Sequence, residues 1–120
     1  MIVADTNTIA YLIAPGGRSP EARALLRRDP DWHAPVLWRS EFANILVLMI
    51  RHQGLGLQEA LRLMEKAERL LVGAEHRVLP ATVVALAAKS GCTAYDCEFA
   101  ALAMELGVPL VTSDKHLLKA

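Results

Sequence analysis

The chain has 120 residues, 53% of them hydrophobic, and a mean hydropathy of +0.28, enough apolar material for one compact domain (residues 1–120) with an ample core. Only 5% of the residues are aromatic while Ala and Leu are abundant, which favours helices packed on a small sheet over an all-β sandwich. The 13 basic and 13 acidic residues balance, which excludes a uniformly basic nucleic-acid binder, and no apolar run nears the roughly 20 residues needed to cross a bilayer.

Residues 1–4 read as a short buried strand, and Thr6 to Ile13 as the helix or turn that follows it. Pro15-Gly16-Gly17 is a loop. Ser19-Pro20-Glu21 is a helix start, with Ser19 as N-cap, Pro at the first helical position and an acid in the first turn; this helix runs to about Arg28. Trp32-His33-Ala34 is a short strand ended by Pro35. From about Leu37 to His52, Trp38, Phe42, Ile45, Leu46 and Met49 recur at helical spacing, and Gly54 stops the run. Leu57, Ala60, Leu61, Met64 and Leu71 mark the next helix, whose wet face carries Glu59, Arg62, Glu65, Lys66 and Arg69. His76 to Leu79 is a strand. Pro80 opens a helix through Val83, Val84, Leu86 and Ala87, ended by Ser90-Gly91. Thr93 starts another, with Phe99, Ala100, Leu102, Ala103 and Leu106 as its buried face and Gly107 as its stop. Strand 109–112 and a short helix from Ser113 complete the chain. Strands alternating with helices imply right-handed parallel βαβ units, hence a three-layer α/β/α sandwich around a short parallel sheet of about four strands.

Within that frame the acids stand out. Asp5 follows the apolar run Ile2-Val3-Ala4, Asp114 follows Pro109 to Ser113, and Glu41 and Asp96 each open a helical pattern. A strand that ends on an acid delivers the carboxylate to the carboxyl-end edge of the sheet, where open α/β folds place their ligands. Taken singly, each acid has a plainer role. Asp5 suits an N-cap, in competition with Thr6 and Asn7; Glu41 meets the helix dipole favourably; Thr93 to Asp96 resembles a capping box; Asp114 suits the cap of the last helix. Together they map to one edge of one sheet. At an effective dielectric near 20, two carboxylates about 4 Å apart repel by roughly 4 kcal/mol, so a clustered quartet binds cations or holds protons. Oxygen-only ligation suits Mg²⁺ or Mn²⁺. Four acids gathered in one cleft would also leave an excess of four positive charges elsewhere, a modest attraction for a polyanion; evenly mixed solvated charge is the equal alternative. His33, His52 and His76 show no ligand spacing and read as incidental, His116 as a solvated surface residue near Asp114. Cys92 and Cys97 are too few for a disulfide framework or a zinc site and read as reduced thiols.

The run Ile2 to Asn7, the segment Trp38-Arg39-Ser40-Glu41-Phe42-Ala43-Asn44-Ile45-Leu46, and the stretch from Thr93-Ala94-Tyr95-Asp96 to Thr112-Ser113-Asp114 resemble the PIN-domain nucleases, in particular toxin ribonucleases of the VapC type. The likeness spans nearly the whole chain. It implies a helix-flanked parallel sheet, metal-dependent endoribonuclease activity and an acidic quartet at Asp5, Glu41, Asp96 and Asp114, with Thr112 as the supporting hydroxyl. There are two departures: the family continues into a further edge strand where this chain stops at Ala120, and some relatives carry another acid where Leu117 and Leu118 stand here.

The resulting expectation is hydrolysis of an RNA phosphodiester by a water activated by Mg²⁺ or Mn²⁺. Asp5, Asp96 and Asp114 are direct ligands, and Glu41 is a ligand or a base acting through a water. Asn7, Thr112 and Ser113 orient waters or carboxylates. Arg39 is a solvated helix residue unless it touches a phosphate. An antitoxin-like inhibitor or a second copy, giving a homodimer, would use exposed apolar positions on helices 20–28 and 57–71. A soluble, cytoplasmic location without membrane contact completes the expectation. Two rivals remain. One is a catalytically silent binding module whose acids only cap helices. The other is a phosphatase of the haloacid-dehalogenase type with Asp5 as nucleophile, disfavoured because Asn7 stands where a second Asp is required.

Overall fold

A computed structural model describes residues 1–14, 16 and 18–112. The expected roles of Ser113, Asp114 and His116, and the expected final helix, lie outside the described residues. In chain order the elements are β1 (Ile2–Ala4), α1 (Thr6–Ile13), α2 (Ser19–Arg28), β2 (Trp32–Pro35), α3 (Trp38–Gln53), α4 (Leu57–Leu70), β3 (Glu75–His76), α5 (Pro80–Ser90), α6 (Ala94–Leu106) and β4 (Leu110–Val111). The four strands form one parallel sheet in the order β3-β2-β1-β4. Helices α1 to α4 pack among themselves, α5 and α6 form a second group, and α6 lies across β1 and β2, completing the three-layer sandwich.

β1 is central and covered on both faces, so Ile2, Val3 and Ala4 are all buried and its sequence is continuously apolar rather than alternating. Trp32, Trp38, Phe42, Leu46, Leu71, Phe99 and Leu102 fill the core around it. Gly54, Gly91 and Gly107 end α3, α5 and α6 in left-handed backbone, which lets the chain turn back without a Cβ clash.

Several local expectations shift. Ser19 is the first residue of α2, not its cap: Arg18 holds the N-cap position, and the buried Ser19 hydroxyl donates to the Ala14 carbonyl at 3.3 Å. Pro35 belongs to β2 instead of ending it. Ala34 and Val36 donate their N–H groups to the carbonyls of Ala74, just before β3, and of His76 within it, so the nitrogen of Pro35 faces away from that neighbour, and its missing proton costs no ladder bond there. β3 is only Glu75–His76, and β4 only Leu110–Val111. On α4 the buried stripe is Ala60, Leu63 and Ala67, continued by Leu71 just beyond the helix, which leaves Leu57 and Leu61 exposed. On α5, Val83 is buried whereas Val84 faces out.

The histidines read as incidental include one linked pair. His33 Nδ1 and His76 Nε2 lie 2.8 Å apart across β2 and β3, and His33 Nε2 reaches Asp31 Oδ1 at 2.8 Å. A ring-to-ring contact of this kind has one nitrogen donating and the other accepting, so each satisfies the other inside the sheet.

Arg39 is not a free surface arginine. Its guanidinium grips Glu75 through Nε and Nη2 at 2.7 Å each and Glu68 through Nη1 at 2.7 Å, while Trp38 Nε1 also donates to Glu75 at 3.0 Å. The clamp ties α3 to α4 and β3, and the guanidinium holds the Glu75 carboxyl below its ordinary pKa.

Candidate active site

The strand order has a consequence for chemistry. The chain leaves β1 for β2 and β3 on one side, then returns to place β4 on the other, so the connections diverge between β1 and β4. Such a switch point opens a crevice at the carboxyl ends of the strands. Asp5 follows β1 and Thr112 follows β4, which sets both at that crevice. The backbone N–H of Asp5 donates to Val111 O at 3.2 Å, joining the two exits.

Asp5 is buried, 7% exposed, and its carboxylate is held from two sides. Oδ1 accepts from the Thr8 N–H at 2.9 Å and from Thr8 Oγ1 at 2.6 Å; Oδ2 accepts a short hydrogen bond from Thr112 Oγ1. The capping role and the site role therefore coexist: Asp5 is the N-cap of α1 and also a wall of the crevice. A carboxylate has about four acceptor positions, and three are taken by described residues, which leaves one on Oδ2 open among them.

Glu41 sits in the first turn of α3, half-buried, and accepts from Thr6 Oγ1 at 2.7 Å. Burial pushes its carboxyl pKa up, the Thr6 hydroxyl opposes this, and the charges of Asp96, Asp5 and Glu98 push it up further. Asp96 lies in the first turn of α6, where its N–H donates to the capping Thr93 Oγ1 at 3.1 Å. Again a capping arrangement and the crevice share a residue.

Asp5, Glu41 and Asp96 line one cleft of about 240 Å³ together with Thr6, Asn7 and Asn44. Thr112 meets this group through Asp5. The fourth expected acid, Asp114, and its neighbour Ser113 lie outside the described residues. Among the described residues no three His, Cys, Asp or Glu side chains come close enough to hold an ion between them. The cleft lining supplies carboxylate, hydroxyl and amide oxygens, the donor types that a hard cation takes.

Sequence reasoning missed Thr6, Thr8 and Asn44. Two signals were available: an Asp N-cap normally bonds the residue three further on, which is Thr8, and Asn44 stands one helical turn after Glu41. Glu98 was missed as well; half-buried two residues past Asp96, its own carboxyl pKa is raised by burial. A larger hollow of about 620 Å³ between α5, α6 and β4 is lined, among the described residues, by apolar and small side chains such as Leu86, Cys97, Met104 and Leu110, whereas the smaller cleft gathers the acids.

The sequence matches the PIN domain over residues 2–120. It is 33% identical over 120 residues to Ribonuclease VapC3 of Pyrobaculum aerophilum, covering 97% of this chain and 91% of that protein. Two solved structures share the fold: PAE2754 from Pyrobaculum aerophilum (TM-score 0.79, 23% identity, 98% of this chain and 77% of that one) and FitAcB from Neisseria gonorrhoeae (TM-score 0.71, 22% identity, 97% and 89%). The chain belongs to the PIN-domain family.

Proposed function

We propose that this protein is a metal-dependent endoribonuclease that hydrolyses RNA phosphodiester bonds. The observation that carries the reading is the convergence of Asp5, Glu41 and Asp96 on one cleft at the switch point. Membership of the PIN-domain family and the likeness to Ribonuclease VapC3 supply the class of reaction.

Asp5, Asp96 and Asp114 would hold Mg²⁺ or Mn²⁺, with Glu41 beside them. Such an ion, when bound, offsets the negative charge of the acids and of the phosphate and makes water a better nucleophile at neutral pH. The Thr8 and Thr112 hydroxyls fix the Asp5 carboxylate so that its open acceptor position stays on Oδ2. Glu41, whose pKa is raised by burial and by its acidic neighbours, takes the proton that the attacking water loses. The water oxygen bonds to phosphorus, one P–O ester bond breaks, and the departing oxygen collects a proton from solvent. Asn7 and Asn44 at the rim orient waters around the phosphate.

The same reading makes the protein the toxin of a toxin–antitoxin pair, with a protein inhibitor, and a homodimer. Exposed Val47 and Leu48 on α3 and Leu57 and Leu61 on α4 supply apolar surface for such partners. Among the described residues no helix is long and apolar enough to cross a membrane.

The test is incubation with total RNA in EDTA, Mg²⁺ or Mn²⁺, with cut sites mapped, alongside thermal melts under the same conditions. Ion-dependent cleavage lost in Asp5→Asn is the expected result. Intact RNA under all conditions, with melts indifferent to either ion, rejects the reading in favour of a silent binding module.

A further inference from the structure

We propose that the groove between α1 and α2 is the track that holds single-stranded RNA beside the cleft. This inference rests on the ribonuclease reading. The groove, about 230 Å³, begins at Thr8 and Thr112, the two hydroxyls that hold Asp5, and runs past Tyr11 and Arg18 to Arg28. Its first residues are therefore one hydrogen bond from the acidic cleft.

Charge is segregated along this path. The segment from Arg18 to Arg28 carries four arginines and a single acid, although the whole chain is neutral; of these, Arg18, Arg28 and the acid Glu21 line the groove. An arginine-rich helix flanks an acidic cleft. An acidic cleft repels a polyanion unless cations nearby receive it, and α2 provides them. Arg18 pairs with Glu21 only at 3.5 Å, with the two side chains 53% and 73% exposed, a contact that water and salt screen and a phosphate can replace. Among the described residues no ion pair engages Arg28.

The second element is a stacking platform. The Arg18 guanidinium lies over the Tyr11 ring, 4.9 Å from its centroid. Tyr11 and Arg18 also border a neighbouring hollow that reaches Asn7 and Ile45, both of which line the acidic cleft. The Tyr11–Arg18 stack is thus the shared wall of two grooves that approach the site from either side of α1. Unpaired bases stack on aromatic rings and on guanidinium planes, and their phosphates seek arginine; a duplex offers no free base face. This pairing of platform and cation selects single-stranded RNA over duplex.

The test uses the full chain and a labelled 12-nucleotide RNA, single-stranded or annealed, followed by fluorescence anisotropy in EDTA so that binding is read without cleavage. Arg28→Ala should weaken single-strand binding and reduce the slope of log K against log salt by about 0.7, and the double variant Arg18→Ala/Arg28→Ala by about 1.4. Tyr11→Ala should weaken binding about tenfold and narrow the preference for single strands, while Tyr11→Phe retains both. Arg69→Ala, on exposed α4, serves as the control and should match the parent. In Mg²⁺ the groove variants should raise KM with kcat little changed, and unaltered melting temperatures exclude misfolding. Equal affinity and salt slope in parent and groove variants overturn the proposal, whether or not the parent cleaves. Groove-dependent binding by a protein that cuts no RNA keeps the track and rejects the nuclease reading. A parent that binds no single-stranded RNA rejects the track.

Discussion

Asp5 carries a structural and a chemical duty on one carboxylate, and two substitutions separate them. In Asp5→Ala the N-cap of α1 disappears, costing about 1 kcal/mol. The Thr8 hydroxyl, on a residue 6% exposed, also loses the anionic acceptor it meets at 2.6 Å, which costs a further 1–2 kcal/mol or so. The Thr112 hydroxyl is only half-buried, so the loss of Asp5 costs it less. The expected total is about 2–3 kcal/mol, a fall of roughly 8–12 °C in Tm for a domain of this size. Asp5→Asn keeps an oxygen for the Thr8 N–H and hydroxyl, and Thr112 can rotate to accept from the new amide. Removing the charge also relieves repulsion on Glu41. Its Tm in EDTA should stay within about 4 °C of the parent, corresponding to about 1 kcal/mol, while RNA cleavage is lost. The assay is a circular-dichroism melt of all three proteins paired with cleavage in Mg²⁺. If Asp5→Ala melted with the parent, the reasoning from the Thr8 and Thr112 bonds would fail; if Asp5→Asn cut RNA normally, the assignment of the carboxylate would fail.

Asp96→Asn should abolish cleavage at a cost of only a few tenths of a kcal/mol, because its N–H still donates to Thr93, whereas Thr93→Ala should cost about 1 kcal/mol with activity largely kept; an active Asp96→Asn protein contradicts the site. Glu41 holds its proton more tightly folded than unfolded, so ionising it costs stability. Metal-free protein should therefore lose stability as pH rises from the unfolded to the folded Glu41 pKa, and Glu41→Gln, which still accepts from Thr6, should flatten that loss. Parallel Tm-against-pH curves for the two proteins would count against it. For Glu75 the sign reverses: its pKa is lowered by Arg39, so its stabilisation is complete above the unfolded value and fades as pH falls through the folded one. Arg39→Ala should then cost about 1 kcal/mol at neutral pH for a partly exposed clamp, a fall of about 4 °C in Tm, and leave cleavage intact; unchanged Tm with lost cleavage would instead place Arg39 on the substrate.

What the sequence determined by itself was local. Apolar runs of strand length and helical periodicity marked the elements, and Gly54, Gly91 and Gly107 marked helix ends, because each of these signals is complete within a turn or two of chain. The parallel sandwich followed from their alternation. The acids were legible as a set because three of them sit where an element begins or ends. Tertiary structure decided everything that depends on a distant neighbour. The hydroxyl on Asp5 Oδ2 comes from Thr112, 107 residues away, and the one on Glu41 from Thr6, 35 away. The buried stripe of α4 is another case: its apolar residues allow more than one face, and the helices packed against it chose Ala60, Leu63 and Ala67 over Leu57 and Leu61. Arg39 is a third, since spacing along α3 says only that its side chain points outward, while the fold brings Glu68 and Glu75 within its reach. Periodicity records which residues share a side of an element; only packing records what lies opposite.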